Sequence, residues 1–216
     1  MSQTVSLEHT VDPRSAHHPV VPGRFIDANT LSDTPTRVAN WKMFMWLFLA
    51  QDAMMFFTMF AGYLALRISS TNWQDPDAVL NIPMTAIATF DLIVSSVTMV
   101  QAIAAIQRGD RKKMRMWLGL TVLGGVLFLG FQAWEYSHLI GVFGMGMSRS
   151  LFDATFFILT GFHGLHVFAG VVYLSSVLLK SKRYTSENYT HIEVAGLYWH
   201  FVDLVWIILF TLVYLI

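Results

Sequence analysis

Five apolar runs constrain this chain more than any other feature. They cover roughly 39–68, 83–107, 114–139, 152–179 and 194–216, and about 20 apolar residues suffice for a helix to cross a bilayer. Lipid offers backbone groups no hydrogen bonds, so each run must satisfy its own and is predicted to be helical. The expected fold is therefore all-α: an integral membrane bundle of five transmembrane helices (38–216), preceded by a disordered or extended tail (1–37). The connections 69–82, 108–113, 140–151 and 180–193 are short, which predicts that consecutive helices are antiparallel neighbours.

Composition supports this reading and excludes others. With 55% hydrophobic and 13% charged residues, the chain lacks the polar surface a soluble domain needs. Its net charge of zero argues against nucleic acid as a partner. It has no cysteine, so disulfides and thiolate metal sites are impossible. The opening MSQTVSLEHT has neither a basic nor an apolar stretch and is not expected to be a secretory signal. Four of the six prolines (Pro13, Pro19, Pro22, Pro35) fall in the tail, which points to irregular structure there. The neighbouring His17 and His18 read as incidental tail residues rather than metal ligands.

Basic residues set the expected orientation. Arg14, Arg24, Arg37 and Lys42, then Arg108, Arg111, Lys112, Lys113 and Arg115, then Lys180, Lys182 and Arg183 fall on one side, against Arg67 and Arg149 on the other. The positive-inside rule puts the N-terminus in the cytoplasm and, with five spans, the C-terminus outside.

The fourth run, with TGFHGLHVFAG at 160–170, holds two intramembrane histidines. His163 and His166 lie about 60° apart around a helix and share a face. Gly161, Gly164 and Gly170 flank that face, where small residues admit another helix or a lipid chain. Hydrogen-bonded packing residues and a haem or metal site both remain open on the spacing alone.

Every other run also carries polar groups. Asp52 stands about 16 Å along the first helix from Trp41, near mid-bilayer, where a carboxyl is either paired or protonated. Asp91 lies a third of the way into the second run. Gln132, Glu135 and His138 are spaced three apart near the end of the third, and His200 and Asp203 share a face of the fifth. Intramembrane acids and imidazoles of this kind either glue helices together or form a proton route or head-group site.

These residues also carry a resemblance. GFHGLHVFAG (161–170) and YWHFVDLVWIILF (198–210) resemble two signature stretches of subunit III of haem-copper terminal oxidases, the cytochrome c oxidase type. LFLAQDAMMFF (47–57) resembles that family's first segment, and FQAWEY (131–136) its Gln–x–x–Glu–Tyr segment. The order along the chain is the family's order, over about 38–216.

The resemblance implies a short five-helix bacterial form in the plasma membrane. It implies a non-catalytic subunit that binds no haem or copper itself. Those groups are expected on the partner subunits: chiefly subunit I, which reduces O₂ and pumps protons, and subunit II. It further implies bound phospholipid and support of proton uptake into subunit I. The family's long form has seven helices and holds lipid between the first two and the rest, so in a five-helix chain that cleft is expected to be open, absent, or completed by a further subunit that supplies the missing two. The family has a glutamate where this chain has Asp52. The implied lipid or polar site falls on Asp52, His163, His166, Arg183, Trp199 and His200. Two alternatives are an accessory protein of a nitric oxide reductase and a di-haem b-type anchor using His138, His163, His166 and His200.

Overall fold

The computed structural model describes residues 40–71, 73, 74, 76 and 79–216. The expectations for the tail, including His17, His18, Arg14, Arg24 and Arg37, lie outside them. Among the described residues there are five long helices and no strand. They are α1 (Asn40–Ser69), α2 (Ile82–Gln107), α3 (Arg111–Phe143), α4 (Leu151–Leu179) and α5 (Thr190–Phe210). A 3-10 turn, Ser181–Arg183, follows α4, and a π-helical turn, Thr211–Leu215, extends α5. All five helices are long and apolar enough to cross a membrane.

Local chemistry sets the helix ends. Asp110 accepts the backbone N–H of Lys113 at 3.0 Å, and that bond holds its carboxyl below the usual range. This cap starts α3 at Arg111, inside the charged RKKMR stretch, several residues before the apolar run begins. Ser150 caps α4 through the N–H of Asp153 at 3.0 Å. Gly144 closes α3 at φ 60°, a left-handed conformation that an L side chain resists. α5 starts at Thr190, earlier than hydropathy suggests, because its first turn is polar: Glu193 there pairs with Lys42 at 2.5 Å.

Helices α2 to α5 close a ring, α2 on α3, α3 on α4, α4 on α5 and α5 back on α2. α1 is the exception to the neighbour expectation. It packs mainly against α5 and α4 rather than its chain neighbour α2. The connection after α1 spans residues 70–81, long enough to pass to the far side of the ring, and Trp73 in it packs edge-on against Tyr63 and Phe152. Every described Lys and Arg except Arg67 and Arg149 falls at one end of the bundle, here called the basic end.

Lipid gives helices no hydrophobic reason to associate, so fit and hydrogen bonds hold such a bundle together. Trp199 shows the fit. It is 1% exposed and donates its indole N–H to Ser95 Oγ of α2 at 3.1 Å. A Cβ on Gly125 of α3 would stand 2.5 Å from its ring, and one on Gly170 of α4 3.0 Å. One side chain thus joins four helices through a slot that two glycines leave open.

Candidate functional site

The polar groups inside the spans sort into separate contacts rather than one cluster. Asp52 of α1 meets His166 of α4, with Oδ1 3.2 Å from Nε2. The other ring nitrogen, Nδ1, lies 2.6 Å from the Phe162 carbonyl. A carbonyl only accepts, so Nδ1 carries a hydrogen. Nε2 then either accepts from a protonated Asp52 or, in an imidazolium, donates to a carboxylate. Both forms hold one shared proton and no net charge, which suits a site in hydrocarbon. Tyr198 completes the group by donating to the His166 carbonyl at 3.0 Å, and Phe56 packs edge-on against the imidazole.

His163, one turn earlier, goes elsewhere. It is fully buried between Phe128 of α3 and Trp206 of α5, with ring centroids 5.8 and 4.8 Å away, and neither ring nitrogen has a hydrogen-bond partner among the described residues. The shared helix face therefore splits: His166 turns to α1 and His163 to the interior of the ring. The flanking glycines admit side chains. A Cβ on Gly164 would fall 2.5 Å from Gln132 Oε1, and one on Gly161 3.5 Å from the Tyr136 hydroxyl.

Toward the end opposite the basic one, Gln132 Nε2 donates to the Thr160 carbonyl at 2.7 Å, and the Tyr136 and Thr160 hydroxyls are 2.6 Å apart. Glu135 is 5% exposed and accepts from Thr85 at 3.1 Å and Tyr214 at 3.0 Å. The third member of the expected stripe departs from it. His138 is exposed and stacks on Trp134 at 5.6 Å. On the α2–α5 face, His200 Nδ1 lies 2.6 Å from Ser96 Oγ, and Asp203 lies beside the same hydroxyl. Asp91 accepts no hydrogen bond from the described residues and packs toward Gly124.

Arg183 sits at the basic end in a cavity of about 230 Å³ between α4 and α5, lined also by Tyr173, Lys180, Tyr184, Asn188 and His191. Arg183 and Lys180 are exposed. Burial raises the Tyr184 hydroxyl above its usual range, so at neutral pH it remains a donor. Two cations and several donors make this cavity suited to an anion such as phosphate.

Of the six residues grouped from the sequence, the structure joins Asp52 to His166 and gives Arg183 basic company. It places His163 and Trp199 in the interior and His200 on Ser96. Among the described residues, no group of three or more His, Asp or Glu side chains is placed to hold a metal ion. Sequence reasoning missed Thr85 and Tyr214, whose hydroxyls donate to Glu135, and Tyr198 and Thr160, which bond the His166 carbonyl and the Tyr136 hydroxyl. It also missed Asp153, fully buried and bonded by Ser150 Oγ at 2.7 Å. The Ser–x–x–acid spacing of a helix-capping motif signals that pair.

Comparison with known proteins is consistent over most of the chain. The model of the family described as cytochrome c oxidase subunit III matches residues 27–216, beginning within the stretch assigned to the tail. The cytochrome c oxidase subunit 3 of Bacillus subtilis (strain 168) is 35% identical over 194 residues, covering 87% of this chain and 94% of the relative. That of Corynebacterium diphtheriae is 41% identical over 175 residues, covering 79% and 85%. The cytochrome bo(3) ubiquinol oxidase subunit 3 of Pseudomonas aeruginosa is 37% identical over 172 residues, covering 79% and 82%.

Proposed function

The chain belongs to the cytochrome c oxidase subunit III family and is subunit III of a bacterial haem-copper oxidase, and from that premise we propose that it has no redox centre and acts through packing, bound lipid and titratable groups. It packs mainly on subunit I, with subunit II and a further subunit completing the assembly. It lies in the plasma membrane with its N-terminal tail, residues 1–37, in the cytoplasm. The haem and copper belong to the partner subunits.

The observation that carries this reading is the cavity around Arg183 and Lys180. It opens at the basic end, where the positive-inside rule expects the cytoplasm. A phospholipid phosphate there would take charge-assisted hydrogen bonds from both cations. On α1's other side, between α1 and α5, an apolar groove of about 450 Å³ lined by Phe56, Phe57, Phe60 and Phe201 suits an acyl chain. The Asp52–His166 pair places an acid and an imidazole in contact within the membrane. His163, Trp199 and His200 fix the helices that carry these parts.

The test compares core oxidase with and without this chain. Haem and copper spectra should be unchanged. Turnover should fall most at neutral to alkaline pH, and activity should decay faster during turnover. Loss of a haem or copper signal would show that the chain helps hold a redox centre. Equal turnover and lifetime would reduce it to a structural cover.

A further inference from the structure

Asp91 is an intramembrane carboxyl that no described residue serves with a hydrogen bond. It lies nine residues into α2, about 13 Å along the axis from Ile82. Asp52 has His166, and Glu135 has two hydroxyl donors. Asp153 has Ser150, and Asp203, whose Oδ1 also has no partner among the described residues, is buried within the bundle at 7% exposure. Asp91 accepts no hydrogen bond from any described residue, and its Oδ2 is sealed from the surface without a partner. Its other side faces a groove of about 260 Å³ between α2 and α3, lined by Met84, Ile87, Ala88, Leu127, Phe128 and Phe131. Ile87 and Leu127 on its rims are exposed.

A carboxyl at this depth is costly when unpaired. Acyl chains have no donor to offer it, so a lipid in the groove would leave the cost in place. The complement of an apolar groove with one acceptor in its floor is an apolar helix with one donor. Gly124 and Ser95 keep α2 and α3 close at this level, and the exposed Ile87 and Leu127 put apolar surface from both helices on either side of the groove.

We propose that the α2–α3 groove around Asp91 docks a transmembrane helix of the oxidase's catalytic subunit, which presents a hydrogen-bond-donating side chain to Asp91. This rests on the chain being an oxidase subunit. The basic-end cavity and the α1–α5 groove lie on other faces of the bundle and remain free for lipid.

The whole oxidase is purified from native membranes through a tag on this chain. A photoreactive residue is introduced at Ile87, at Leu127 or, as controls on other faces, at Phe57 and Leu165. Ile87 and Leu127 should form adducts with the catalytic subunit. Asp91→Leu should lower the fraction of catalytic subunit retained about threefold, and Asp91→Asn, which still accepts a hydrogen bond, should restore most of it. Adducts at Ile87 and Leu127 with lipid alone, or with a second copy of this chain, would overturn the proposal whether or not the Asp91→Leu protein folds. An intact complex cross-linked only from Phe57 or Leu165 would overturn the docking face alone. A tagged chain that brings no oxidase subunit would overturn the subunit reading as well.

Discussion

At the scale of single residues, close approach decides more than polarity. Gly164 lets Gln132 lie across α4 and reach the Thr160 carbonyl. Gly164→Ala should lower stability by about 1–3 kcal/mol, seen as a lower thermal midpoint in detergent. Gly130 has nothing within 4 Å of a built Cβ. Gly130→Ala should leave the midpoint unchanged or raise it, since alanine favours a helix by up to about 1 kcal/mol. The Asp52–His166 contact makes a sharper claim. Leucine at either position should destabilise the bundle, and leucine at both should cost less than the sum. A double-mutant cycle on unfolding in mixed micelles should return a coupling of about 1 kcal/mol. Strict additivity would mean that the pair contributes nothing as a pair.

At the scale of helices, α1 is held differently from the rest. The ring α2–α5 interlocks around Trp199, whereas α1 is attached at three levels: Lys42 to Glu193, Asp52 to His166, and Arg67 to the terminal Ile216 carbonyl. Those contacts fix which way α1 runs beside α5. The orientation of the whole set can be read with single cysteines, because the native chain has none. Ser148 and Ser186 are exposed in opposite connections. Ser181, otherwise a natural choice for the basic end, is 2% exposed and unsuitable. An impermeant maleimide applied from outside should label Ser148→Cys and not Ser186→Cys. The reverse pattern would invert the topology.

At the scale of the whole molecule, the two ends have different work. The basic end gathers Lys180, Arg183 and His191 around one cavity. The opposite end is closed by Tyr214, brought onto Glu135 by the π-helical last turn. If the basic cavity holds a phospholipid phosphate, native mass spectrometry of the purified subunit should show an anionic lipid that survives mild activation. Replacing Lys180 and Arg183 together by alanine should weaken its retention about tenfold, as expected for loss of charge-assisted hydrogen bonds. Unchanged lipid occupancy in that variant would move the lipid elsewhere.

The number of helices, their approximate spans and the family were legible in the residues themselves. Apolar length is a local property, and lipid forces it into helix, so runs of hydropathy become elements without reference to neighbours. Helix ends were less legible at Arg111 and Thr190, because a helix leaving the membrane turns polar while its hydrogen bonds continue. That Asp52 would be either paired or protonated in the membrane also followed from the sequence. Which partner it takes did not. His163 and His166 share a face and a motif, yet one meets a carboxyl on α1 and the other two aromatic rings. That choice depends on α1 crossing to α4 and α5 instead of α2, and no spacing along a single helix encodes where another helix lies. The hydroxyl contacts of Tyr198, Tyr214, Thr85 and Thr160 with other helices were hidden for the same reason. A hydroxyl reads alike in sequence whether it faces lipid or a buried acid, and only the packed bundle decides between them.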